Sequence, residues 1–273
     1  MQIRIFYLTT FTAMLIQFVA DYFKHRLTAK SRHGTHSPFV YRLVDEVIYD
    51  FSAKKVYDGI EEQRKKLLND DTLITITDLG AGSYLNNNRQ KKVSDLAKNS
   101  LKSKRLAQLI YRLANHHAGQ KMIELGTCLG VTTAYLAKAN PKATIVTMEG
   151  CPETAEIAYQ NFVSLKLTNV ELQVGNFNEL FPKEVECSSQ LDFVYIDGNH
   201  TKEATLNYFK LCLPKVHEAT LLIFDDIYWS KGMKEAWEEI KAHPQVTVTI
   251  DLFAIGLVYF KKDQAKEHFK IKF

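Results

Sequence analysis

Two apolar runs of this sequence end in acids. "LDFVYI" runs into Asp197-Gly198-Asn199-His200, and "TLLIF" runs into Asp225-Asp226. If both runs are parallel strands, their ends converge at the carboxyl edge of a sheet, where ligands bind. Three carboxylates gathered there repel one another unless something positive lies between them, and a hard divalent cation with oxygen ligands answers that need. Taken alone, Asp225-Asp226 reads equally well as a helix N-cap followed by a loop acid, and Asp197 as a turn residue before Gly198. Their joint placement after successive strands is what points to Asp197, Asp225 and Asp226 as metal ligands.

A second chemical signal is glycine-based. "KMIELGTCLGVTTAYLA" sets Gly126-x-x-x-Gly130 between a short apolar run and a helix-forming one. Pro141 stops that helix, and "ATIVTME" brings Glu149 in about twenty residues after the turn, the reach of one helix plus one strand. Strand, glycine turn, helix and strand-end acid together describe a nucleotide-type cofactor site, with the acid on the ribose. No phosphate-binding lysine accompanies the glycines, which excludes a P-loop. "DLGAGS", residues 78–83, imitates the same turn. An Asn-rich and basic segment follows it, and no strand-end acid appears before residue 121, so the cofactor turn is expected at 126–130.

These stations need a scaffold. From residue 121 onward, short apolar runs alternate with helical patterns, which predicts a mostly parallel α/β sheet of Rossmann-like form with helices on both faces. The closing "VTVTIDLFAIGLVYFKK" holds two strand-like runs with no room for a crossover helix, so the last strand is expected to be antiparallel. Residues 1–104 read as a largely helical N-terminal extension with the glycine-rich turn at 78–83. Residues 105–273 read as the cofactor-binding domain.

Roughly over residues 105–262, the chain resembles the class I S-adenosylmethionine-dependent methyltransferases. Within them it is most similar to the cation-dependent O-methyltransferases of the catechol, caffeoyl-CoA and macrolide-sugar type. "IELGTCLGVTTAYLA" resembles that group's first motif, "TMEG" its ribose-binding strand end, and "VYIDGNH" and "LLIFDDIYW" its two metal-bearing strand ends. "HGTHSPFVYRLV" together with "DLGAGS" resembles a bacterial branch common in Bacteroidetes. The resemblance implies S-adenosylmethionine as cofactor. Glu124, Gly126, Thr127 and Gly130 would lie at its methionine end, Glu149 and Gly150 at the ribose, and Asn176 by the adenine, with Asp197 also in reach. It implies a divalent cation, magnesium first, with manganese or calcium as alternatives, on Asp197, Asp225 and Asp226. Asp226 stands where catechol-type enzymes usually have Asn, and His200 where they have a lysine base, which turns the expectation away from a catechol acceptor.

Methyl transfer to a hydroxyl needs an aligned acceptor and a base. His200, three residues past Asp197, is the candidate base, although it also reads as a cap of the helix starting near Thr201. Tyr228, Trp229 and His36 are candidate walls of the acceptor pocket. His33 and the 78–88 segment are expected to cover it.

Composition narrows the alternatives. At 273 residues, with 46% hydrophobic and 24% charged residues, the chain can bury a large core, and a net charge of +4 does not demand nucleic acid. Four scattered cysteines, with no C-x-x-C pair, favour free thiols in a reducing compartment, hence the cytoplasm. "IFYLTTFTAMLIQFVA" is interrupted by polar residues and short for a membrane span. It is read as an amphipathic helix packing on the body or on a second subunit, the latter giving a homodimer through the N-terminal helices. The expected partner is a small-molecule hydroxyl acceptor. The basic run Arg89, Lys91, Lys92, Lys98, Lys102, Lys104 and Arg105 keeps RNA or protein methylation as an alternative, but it lacks interleaved aromatics and reads equally as a solvated helix. A non-catalytic cofactor-binding protein is the remaining alternative.

Overall fold

The structure, a computed structural model, describes residues 2–34, 36–77, 89–117 and 119–273, and their side chains from Leu15 onward except those of His33 and Arg89. The glycine turn expected at 78–83 and the segment to residue 88 lie outside the described residues, as does the His33 side chain.

The sheet that carries the site is built from β3 (Lys121–Leu125), β4 (Thr144–Glu149), β5 (Val170–Val174), β6 (Phe193–Ile196) and β7 (Leu221–Asp225). With β8 (Val248–Asp251), β9 (Ile255–Tyr259) and β10 (Glu267–Lys270), they form eight strands in the order β10-β8-β9-β7-β6-β3-β4-β5. Every residue of β6 and β7 is buried. Such strands read as continuous apolar runs because helices cover both faces of a parallel sheet. Starting at β3, the chain winds outward through β4 to β5, then returns to place β6 on the other side of β3. That reversal opens a crevice at the carboxyl ends of β3 and β6.

One face of the sheet packs against α5 (Lys104–His116) and α6 (Val131–Ala139), with α2 (Pro38–Leu43) and α3 (Val56–Leu67) beyond them. α5 starts where the Ser103 hydroxyl accepts the Leu106 N–H, and it buries Leu106, Leu109, Ile110 and Leu113. These positions make one apolar stripe at helical spacing, each buried Leu or Ile contributing roughly 1.5–3 kcal/mol. The other face is covered by α8 (Phe177–Cys187), α9 (Lys202–Cys212) and α10 (Lys231–Ala242), through Phe181, Tyr208, Phe209, Trp237 and Ile240. α7 (Pro152–Ser164) lies beside β4 and β5.

β8 and β9 pair antiparallel, as the sequence implies, but the antiparallel strand is not the last one. β9 runs against both β7 and β8, and β10 follows it to lie parallel with β8. Among its described residues, the N-terminal third carries helices and one antiparallel pair, β1 (Leu73–Ile76) with β2 (Arg89–Lys92). The basic run is therefore not one solvated helix. Its first part is β2, its middle is α4 (Val93–Ser100), and α5 begins at Lys104. α1 (Gln2–Thr28) docks on the body through Phe18, Tyr22 and His25, all edge-on to Phe253. It leaves Leu15, Ile16, Val19, Phe23 and Leu27 exposed. Among the described residues, no helix is long and apolar enough to cross a membrane.

Candidate active site

A cavity of about 500 Å³ opens at the carboxyl ends of the strands. At one end stands the glycine turn after β3. The Gly126 and Thr127 N–H groups donate to the Met148 carbonyl at 3.0 Å each, pinning the turn to β4. Gly126 has φ +99°, and a Cβ there would lie 1.9 Å from the Asp197 carbonyl oxygen. Only glycine lets the two loops touch. Gly130, at φ +75°, caps α6, and a Cβ there would meet the Phe162 ring at 2.5 Å. Glu149 ends β4 with one carboxylate oxygen accepting the Cys128 N–H at 2.8 Å and the other the Cys151 N–H at 2.9 Å. Burial raises its pKa, and these backbone donors oppose the rise. An acid lining the cavity, fixed by the backbone at both oxygens, is a ready acceptor for a vicinal diol. The narrow cradle at Gly126 and this acid fit a nucleoside cofactor.

The other end holds the acids. Ile196 pairs with Phe224 across β6 and β7, so the residues that follow, Asp197 and Asp225, are neighbours by register. Tyr195, fully buried, places its hydroxyl 3.1 Å from a carboxylate oxygen of each. His200 Nε2 is 3.5 Å from Asp197 Oδ1. Asp197, His200 and Asp225 each bring a ligand atom within 4.8 Å of the others. Asp226 lines the cavity outside that set.

Between the two acids lies a residue that the sequence reading assigned to the basic run. Lys102 Nζ donates to Asp197 Oδ1 at 3.0 Å and to Asp225 Oδ2 in a shorter contact. The Lys102 side chain is only 14% exposed. It belongs to the short connection between α4 and α5, where its carbonyl accepts from Arg64 Nη1 at 2.7 Å. Arg64 is held in turn by Glu61. Burial by itself would lower the Lys102 pKa, but Asp197, Asp225 and Asp226 overcome it and raise it. For Asp197, burial pushes upward, and Lys102 with His200 prevail to hold the carboxyl at about 2. Asp225 is raised well above its ordinary value by burial and by the Asp197 charge, with Lys102 opposing.

A divalent cation does not fit this arrangement. Its place between Asp197 and Asp225 is taken by an ammonium already hydrogen-bonded to both, and two cations there would repel.

The cavity brings together Gly126, Glu149, Gly150, Asn176, Asp197, His200, Asp226 and Trp229. Asn176 also caps α8, its Oδ1 accepting the Asn178 N–H at 2.9 Å. Other expected residues lie elsewhere. Glu124 is fully buried beneath the turn, one oxygen accepting from the Thr133 and Thr147 hydroxyls and the other without a partner. Burial lifts its pKa to about 8. Thr127 is buried with it, 2.6 Å from the Thr147 hydroxyl. These two and Gly130 shape the turn rather than line the cavity. Tyr228 turns to Asp251, donating at 2.7 Å, and stacks on Phe253. His36 is exposed and does not line the cavity. His200 does not cap α9, whose N-cap is the Thr201 hydroxyl.

Residues 123–227 match a family described as a methyltransferase domain. This stretch of the chain is thus similar to methyltransferase domains. The match begins inside β3 and ends just past Asp226, so it takes in both ends of the cavity. A catechol O-methyltransferase of Niastella koreensis is 30% identical over 118 residues, 42% of this chain and 52% of the relative. The chain spans about half the length of the curated relatives it matches. Among solved structures, an O-methyltransferase from Bacillus cereus in complex with SAH aligns with a TM-score of 0.57 at 20% identity, covering 79% of this chain and 96% of that one. An SAH-bound Podospora anserina methyltransferase aligns at 0.59 and 12% identity, covering 84% and 97%. These likenesses show that the chain shares the Rossmann-like fold of those methyltransferases.

Proposed function

We propose that the protein transfers a methyl group from S-adenosylmethionine to a hydroxyl of a small molecule. The observation that carries this reading is one continuous cavity with a backbone-fixed Glu149 at one end and the Asp197, Lys102 and His200 cluster at the other. When bound, S-adenosylmethionine supplies a methyl on a sulfonium, so the C–S bond breaks with its pair on sulfur as the C–O bond forms. Glu149 would accept from the ribose hydroxyls, Gly150 would lie beside it, and Asn176 would offer its amide to the adenine. The Gly126 turn admits the methionine end. His200 takes the hydroxyl proton, as an imidazole can near neutral pH, and Asp197 beside it stabilises the imidazolium so formed. Trp229 walls the acceptor side.

The test is transfer of tritiated methyl to a panel of hydroxyl acceptors, catechols and sugars included, with S-adenosylhomocysteine affinity measured in parallel. Transfer that depends on Glu149 supports the reading; failure to bind S-adenosylhomocysteine at all would refute it. The basic run gives little support to RNA as substrate, because Lys102, one of its members, is turned into the cavity.

A further inference from the structure

The cation of this site is part of the chain. We infer that the Lys102 ammonium stands in place of a divalent metal between Asp197 and Asp225, and that it presents a hydrogen-bond donor to the acceptor oxygen. The inference rests on the methyl-transfer reading for its substrate but not for the identity of its cation.

Two strand-end carboxylates and an imidazole converge at the mouth of β6 and β7, an arrangement that demands a positive charge. Lys102 meets that demand with hydrogen bonds to both acids. An ammonium has three donors. The acids take two, and the third remains for the cavity that Lys102 lines. The position is not accidental, because the backbone is fixed on both sides of the side chain. Arg64, itself buried and paired with Glu61, holds the Lys102 carbonyl, and Ser103 caps α5 one residue later. A lysine so placed does two of the things a metal would do. It neutralises the paired acids, and it favours the acceptor oxygen as that oxygen loses its proton to His200. It cannot chelate two oxygens of one substrate, so an isolated hydroxyl suits this site as well as a vicinal pair.

The deciding experiment uses the full chain, dialysed against EDTA, saturated with S-adenosylhomocysteine and titrated with MnCl₂, with free Mn²⁺ read by electron paramagnetic resonance. Wild type and Lys102→Arg are expected to bind no Mn²⁺ below millimolar concentration. Lys102→Met, which removes the charge and keeps the stem, is expected to bind one Mn²⁺ at least ten-fold more tightly than wild type. Stoichiometric micromolar binding by the wild type, or equal binding by all three proteins, overturns the inference. If Lys102→Met does not fold, the wild-type titration decides alone. Turnover gives a second readout: wild-type transfer is expected to be unchanged by EDTA, and a loss restored by Mg²⁺ overturns the inference. Absence of transfer to every acceptor would count against the proposed function and leave the Mn²⁺ titration intact.

Discussion

Glu124→Gln should make the protein more stable as the pH rises. Glu124 is fully buried in β3, with one carboxylate oxygen held by two threonine hydroxyls and the other unpartnered. Its pKa rises from 4.5 to about 8, chiefly through burial. A carboxyl whose folded pKa lies above the unfolded one gives its full stability below the unfolded value. That stability is lost as pH climbs through the folded pKa. The window is therefore about pH 4.5 to 8, and at about 1.4 kcal/mol per unit the ceiling is roughly 5 kcal/mol. Glutamine keeps the shape and never ionises. It leaves its NH₂ where the unpartnered oxygen was, a fixed cost of about 1–3 kcal/mol. Urea denaturation of both proteins at pH 5, 6, 7, 8 and 9 gives the difference in unfolding free energy. Glu124→Gln should be equal or slightly weaker at pH 5 and should gain on the wild type by several kcal/mol by pH 8. The comparison also cancels the opposing slope of His117, His243 and His268, whose pKa values are lowered by burial. A difference that stays flat from pH 5 to 8, or that turns in favour of the wild type, would refute the reasoning and show that Glu124 is ionised in the fold.

Other substitutions test the site piece by piece. His200→Ala should lower turnover by about 10²–10⁴-fold with S-adenosylhomocysteine affinity unchanged, and full turnover would remove His200 from the mechanism. Gly126→Ala, with its Cβ driven onto the Asp197 carbonyl, should lower the melting temperature and abolish cofactor binding in calorimetry; normal binding would mean that the two loops can part. His25→Ala breaks the buried 3.0 Å contact with Asp251 and should cost about 1–3 kcal/mol in urea titration. It should also open α1 to limited proteolysis, whereas an unchanged digestion pattern would show α1 held by its aromatic contacts alone.

What the sequence made legible followed from local patterns. The runs at β3, β4, β6 and β7 are apolar because they are buried on both faces. Their terminal acids stand out for that reason. Asp197 and Asp225 became neighbours through a register that the alternation of elements already implied. Lys102 was hidden because its position is tertiary. Nothing in "KNSLKSKR" distinguishes the one lysine held by Arg64 and aimed at the acids from those facing water. The signal that could have found it is its place one residue before the Ser103 cap, at the start of a helix whose apolar stripe is buried with the sheet. Glu124 and Thr127 lie within the glycine motif, whose resemblance places them at the cavity, yet alternation along β3 turns Glu124 under the turn. Tyr228 was read beside Trp229, but adjacent residues in a loop point different ways, and Asp251 on β8 captured its hydroxyl. β2, made of Arg-Gln-Lys-Lys, carries no strand signal of its own and exists by pairing with β1.

The contact between Gly126 and the Asp197 carbonyl has a consequence for engineering. The loop at Gly126 and the loop that bears Asp197 are in backbone contact, so neither can be lengthened or exchanged by itself. A chimera that imports a relative's segment after β3 must import the one after β6 as well, or the two surfaces will not mate. Variation aimed at new acceptors belongs instead on Trp229, Asn99 and Ser100, which border the cavity without joining that seam. The two loops must be exchanged as a pair.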